Sequence, residues 1–126
     1  MKYEVAVLVT QESQYRTLHS ILCQGPYAPY ELGSLDDVAR YMQGRESGVL
    51  IVDLDSEPIT NAALRELKKK HTLTIIALSG EHLHPDLEES LRHHIYACLG
   101  KPADPDELLY ILRSLFIEEF NSRRLT

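Results

Sequence analysis

The run Val49-Leu50-Ile51-Val52, bounded by Gly48 on one side and Asp53-Leu54-Asp55 on the other, constrains the fold more than any other stretch. Four consecutive aliphatic residues are too few for a helix and are apolar on both faces. They therefore predict a strand covered on both sides, as in the middle of a parallel sheet. In open α/β sheets ligands gather beyond the carboxyl ends of the strands. Asp53 stands at that end, and any chemistry is expected there.

The rest of the chain alternates around this run. Tyr3 to Val9 predicts a strand, and Thr10-Gln11-Glu12-Ser13 can cap a helix carrying Tyr15, Leu18, Ile21 and Leu22 on one face. Gly25-Pro26 stops it. Tyr27 to Gly33 reads as a weak strand, and Pro29 within it predicts an edge position. Ser34 and Asp37 have capping-box spacing, and Leu35, Val38, Ala39 and Met42 form the stripe of a second helix. After a loop from Leu54 to Pro58, a helix is expected from about Ile59 to Lys70, with Ala63, Leu64 and Leu67 facing inward. Leu73 to Leu78 is the fourth apolar run, and a helix opening at His84-Pro85 follows it with Leu87 and Leu91. Ile95 to Leu99 predicts the fifth strand. Asp104-Pro105-Asp106-Glu107 is a helix start, with Leu108, Leu112, Leu115 and Phe116 on the inner face. Five β–α units in strict alternation call for an α/β fold, a five-stranded parallel sheet with helices on both faces.

Length and charge narrow the class further. A chain of 126 residues is one domain with room for a core, expected over 1–120, with 121–126 as a polar tail or the start of a linker. A net charge of −6 argues against a nucleic-acid surface. The one basic run, Lys68-Lys69-Lys70, suits the negative end of a helix. No run approaches the length of a membrane span, and the chain enters its first strand without an apolar leader core. Cys23 and Cys98 lack CxxC spacing and sit among apolar neighbours, which predicts buried thiols in a cytoplasmic protein. The six histidines include His82, His84, His93 and His94, but none completes a metal-ligand spacing.

Three polar residues stand directly after three predicted strands: Asp53, Ser79 and Lys101. A carboxylate can attack a phosphoryl donor, a hydroxyl can donate to a phosphoryl oxygen, and an ammonium can neutralise the added charge. With Pro102 after the lysine and the capped last helix, the chain resembles the receiver domain of two-component response regulators over nearly its whole length. The resemblance implies a flavodoxin-like fold with strand order 2-1-3-4-5. It implies Asp53 as phospho-acceptor, Ser79 as switch hydroxyl and Lys101 as the phosphate-contacting lysine. It implies, too, a signalling module rather than an enzyme, with a sensor histidine kinase or other signalling protein as partner. Contacts, including a homodimer, are expected on the face shared by the fourth helix, fifth strand and fifth helix, through Glu88, Glu89, Arg92, Asp106, Arg113 and Glu118.

The departures from that family are physical ones. Receivers carry an acidic pair after the first strand that holds Mg²⁺; here those positions are Thr10 and Gln11, and the nearest acid is Glu12. The remaining metal ligands implied are Asp53, the backbone carbonyl of Asp55 and Glu12. The usual Met-Pro is replaced by Ser56-Glu57-Pro58, and the switch aromatic falls at Cys98. Mg²⁺ is usually held by carboxylates and water, so binding is expected to be weak or absent and phosphotransfer impaired, as in a pseudo-receiver. A phosphorylation-independent interaction module stands beside this reading. The Asp53-Leu54-Asp55 motif also resembles that of haloacid-dehalogenase-type phosphatases, but it follows the third predicted strand rather than the first.

Overall fold

Hydrophobic period alternates between two and 3.6 along the chain, and the elements follow it. The computed structural model describes residues 2–55, 59–80 and 87–125, with side chains described up to Ile117. Among these, five strands and five helices alternate: β1 (Tyr3–Leu8), α1 (Glu12–Cys23), β2 (Tyr27–Leu32), α2 (Leu35–Met42), β3 (Gly48–Asp53), α3 (Asn61–Lys70), β4 (Leu73–Ser79), α4 (Glu88–His93), β5 (Ala97–Gly100) and α5 (Pro105–Leu125). All strands pair in parallel in the order β2-β1-β3-β4-β5. The expected order and layering are those found, with β2 and its Pro29 at an edge.

The sheet has an apolar cluster on each face, because successive strand residues point to opposite sides. Leu50 and Val52 of β3 join Val38, Met42, Leu64 and Ile75 under α2, α3 and α4. Ile51 joins Val7, Leu18, Leu22, Ile76, Leu108 and Leu112 under α1 and α5. Leu50, Ile51 and Val52 are fully buried, each contributing about 1.5–3 kcal/mol of apolar transfer. β3 is therefore the central strand that its sequence predicts.

Caps fix where the helices begin. Ser34 Oγ accepts the Asp37 N–H at 3.1 Å, and Asp104 Oδ1 accepts the Asp106 N–H at 2.9 Å at the head of α5. Thr60 caps α3 through the Ala63 N–H at 3.1 Å, so the helix starts at Asn61 rather than at Ile59. Ile59 instead precedes the cap and buries in the same cluster as Leu64, a hydrophobic staple. β5 begins two residues later than expected because the Ile95 N–H donates to the Ser90 carbonyl at 2.8 Å and closes the end of α4. Lys68, Lys69 and Lys70 fill the last turn of α3 as expected, but Lys68 Nζ donates across to the Leu73 carbonyl of β4 at 2.7 Å rather than to the helix's own end.

Both thiols correct the sequence expectation, since Cys23 and Cys98 are exposed. Cys23 lies off the buried Leu18–Ile21–Leu22 stripe of α1. Cys98 alternates with buried Leu99 on an edge strand and points the other way. The expected helix opening at His84-Pro85, the Ser56-Glu57-Pro58 loop, His82 and the Glu118 side chain lie outside the described residues. The backbone of α5 runs through Leu125, so the polar stretch from Asn121 continues the helix as far as that residue.

Candidate functional site

Parallel register brings the ends of three strands level. Asp53 of β3 is paired with Leu78, and the next residue on β4, Ser79, is paired with Gly100 of β5. Asp53, Ser79 and Lys101 thus leave the sheet at one edge, beside the point where strand order reverses between β1 and β3. Asp53 is 2% exposed and Ser79 is 7% exposed. A carboxylate this deep costs free energy unless it is paired and hydrogen-bonded, and here it is both. Lys101 Nζ lies 3.1 Å from each Asp53 oxygen, and the Asp55 N–H donates to Asp53 Oδ1 at 2.9 Å. Ser79 Oγ lies 3.5 Å from the Gly80 carbonyl oxygen. The Lys101–Pro102 peptide bond is cis.

The sequence reading used only the backbone of Asp55, but its side chain is also part of the site. Asp55 Oδ2 lies 2.9 Å from Lys101 Nζ and accepts the Gly80 N–H at 2.6 Å. Asp53 ends β3 and Asp55 lies in the turn that follows it, so their two-residue spacing sets both carboxylates beside Lys101. One ammonium therefore faces two carboxylates. Burial lowers the Lys101 pKa, but the hydrogen bonds and charges of Asp55 and Asp53 outweigh it and hold the group above its ordinary value. The Cys98 thiol is pushed up, first by burial and then by the Asp55 charge.

The remaining predicted ligand is not gathered in. Glu12 sits in the first turn of α1, its Oε1 2.7 Å from Arg16 Nη2, with both side chains about three-quarters exposed. Thr10 and Gln11 are exposed, and Gln11 caps α1 with its backbone alone. Among the described residues no three His, Cys, Asp or Glu side chains form a group able to hold a metal ion. One buried carboxylate and one carbonyl are a short donor set for Mg²⁺, which wants near-octahedral oxygen. A cleft of about 350 Å³ opens beside Lys101, lined in part by Gln11, Gln14, Thr17 and Pro102.

Strand order, parallel pairing and a carboxylate–lysine pair at the switch point define a doubly wound α/β domain with an anionic site at its carboxyl edge. No family model matches the chain, and no curated protein matches it. Solved structures do. The signal receiver domain of an HD domain-containing protein from Pseudomonas fluorescens is 21% identical with a TM-score of 0.78, over 96% of this chain and 99% of that one. The receiver domain of a LuxO-type repressor from Vibrio parahaemolyticus gives 13% identity and a TM-score of 0.78, over 99% and 97%. NtrX from Brucella abortus gives 19% identity and a TM-score of 0.76, and there the match spans 99% of this chain but 28% of that protein. The fold is that of response regulator receiver domains. No helix among the described residues is long and apolar enough to cross a membrane.

Proposed function

We propose that this chain is a two-component signalling receiver in which Asp53 accepts a phosphoryl group inefficiently. The observation that carries this reading is Lys101 Nζ held 3.1 Å from both oxygens of a buried Asp53 at the edge of a receiver fold. In the transfer, an Asp53 oxygen attacks phosphorus, an acyl phosphate bond forms, and the bond to the leaving oxygen breaks with its electron pair. In this reading Lys101 balances charge on the phosphoryl oxygens and Ser79 donates to one of them. Mg²⁺ would be held by Asp53 and the Asp55 carbonyl; Glu12 would first have to leave Arg16. That set does not suit tight binding, and no step is assigned to the ion.

Output through protein contacts is the second half of the proposal. The face assigned to these contacts is that of α4, β5 and α5; Tyr96, just before β5, and Tyr110, on α5, are 52% and 68% exposed, amphipathic side chains suited to a sensor kinase, another signalling protein or a second copy. Part of its charge is already used internally: Glu88 pairs with Arg92, and Glu89 with Arg65. Asp106 remains exposed on α5, whereas Arg113, expected on this face, instead lines a groove with Tyr3, Pro26, Tyr27 and Phe116 on the β1–β2 side. A phosphorylation-independent interaction module is favoured by one specific observation, the uncharged Thr10 and Gln11 where a carboxylate pair would recruit metal. Treatment with acetyl phosphate and Mg²⁺ separates the two. The receiver reading expects a slow phosphate adduct by intact mass, abolished in Asp53→Asn; no adduct leaves the interaction module.

A further inference from the structure

The proposed function gives no part to the Asp55 carboxylate. Its contacts are nonetheless those that an oxyanion on Asp53 would seek: a lysine ammonium at 2.9 Å and a backbone amide at 2.6 Å. Both donors belong to different strand ends, β5 and β4, and meet on one carboxylate oxygen. A carboxylate and a phosphoryl group present the same acceptor chemistry to such a pair. The position is also closely walled. A Cβ at Gly80 would lie 3.2 Å from Asp55 Oδ2 and 3.8 Å from Lys101 Cε, so the amide reaches the anion because residue 80 is glycine.

We infer that Asp55 is a built-in occupant of the oxyanion seat formed by Lys101 and the Gly80 amide, and that a tetrahedral oxyanion binds there only by displacing it. The identity of that oxyanion as a phosphoryl group rests on the proposed function; the occupancy of the seat does not. Among the described residues two carboxylates, Asp53 and Asp55, face the one Lys101 ammonium, and an arriving dianion adds negative charge beside them. Asp55 has a way out and Asp53 has none, since their side chains are 23% and 1% exposed. Rotation of Asp55 toward solvent gives up the Gly80 and Lys101 contacts, which exposes the Gly80 amide and leaves Lys101 facing Asp53 and the arriving oxyanion. The resident carboxylate therefore links the ends of β3, β4 and β5 without any modification, and its displacement is what a bound oxyanion would change.

Inorganic phosphate at constant ionic strength tests this, read by the amide NMR shift of Gly80. Asp53→Asn and Asp55→Ala each remove one negative charge, so they separate seat occupancy from net charge. Asp55→Ala and the double variant should bind phosphate at least tenfold more tightly than wild type or Asp53→Asn. Adding Lys101→Met should erase the gain. If Asp55→Ala folds poorly, Asp55→Ser serves the same comparison. An equal response in Asp53→Asn and Asp55→Ala would reduce the effect to charge, and no response in Asp55→Ala or the double variant would remove the seat. Acetyl phosphate on the wild type answers separately: tighter phosphate binding by Asp55→Ala with no adduct on the wild type keeps the seat and rejects phosphotransfer, and an adduct on the wild type with no gain in phosphate binding by Asp55→Ala rejects the seat.

Discussion

Replacing Lys101 with methionine keeps most of the stem and removes the charge that the site depends on. Asp53 would then be a carboxylate with 1% of its side chain exposed and only the Asp55 N–H left of its described partners named above. Stripping one partner from a fully buried pair costs about 3–5 kcal/mol. Lys101 is 24% exposed and stands at the rim, where water moderates the loss, so about 2 kcal/mol is expected. Unfolding entropy of about 2.1 cal/mol/K per residue turns this into a fall in Tm of about 7–8 °C for a chain of this size. Adding Asp53→Asn to Lys101→Met should recover at least half of the loss, because the buried charge that Lys101 balanced is gone. The pH dependence has a definite sign. Lys101 is raised in the folded state, so its stabilisation is complete below the unfolded lysine value of about 10.4 and is lost as pH climbs through the folded value. The gap between wild type and Lys101→Met should stay level from about pH 7 to about pH 10 and close above that. Thermal and urea melts across that range measure it. A loss under about 1 kcal/mol, or no recovery in the double variant, would refute the reasoning that a buried charge pair holds this edge.

Three further outcomes are expected. The double change Thr10→Asp/Gln11→Asp should tighten Mg²⁺ binding at least tenfold, about 1.4 kcal/mol, and its Tm should drop in chelator and recover with the ion; calorimetric titration and melts check both. In a Cys23→Ser background, alkylation of the exposed Cys98 should show a midpoint above the ordinary thiol value, moving down in Asp55→Asn as the neighbouring charge is removed. Sedimentation should show self-association weakened by Tyr110→Ser, since Tyr110 is 68% exposed on α5; a monomer at high concentration, unchanged by the substitution, would reject a homodimer on that face.

Most of the fold was legible because periodicity and punctuation agree along the chain. The run of Val49 to Val52 can only be a doubly covered strand, and Pro29 marks β2 as an edge. The site was legible in part: Asp53 and Lys101 follow strands whose register brings them into contact. What failed to show was local bonding that has no period. The Ile95 N–H turning back to Ser90 shortens β5, and nothing in an apolar run announces that. Apolar neighbours misled for Cys98, because on the edge strand β5 burial alternates and only Leu99 is buried. The Asp55 side chain was visible as half of an Asp-x-Asp spacing, yet its attachment to Gly80 depends on residues 25 apart in sequence meeting across two strands.

The two rims of the sheet decide how another molecule can meet this chain. An unpaired strand edge is a template on which a foreign strand can extend the hydrogen-bond ladder, in peptide capture or in aggregation. β2 blunts that template with Pro29, which has no N–H to offer, and with exposed Glu31. At the opposite rim β5 has four residues, too short a ladder to hold a guest strand. Both edges are thus blunted against strand addition, which favours docking through helices and side chains over borrowing of the backbone.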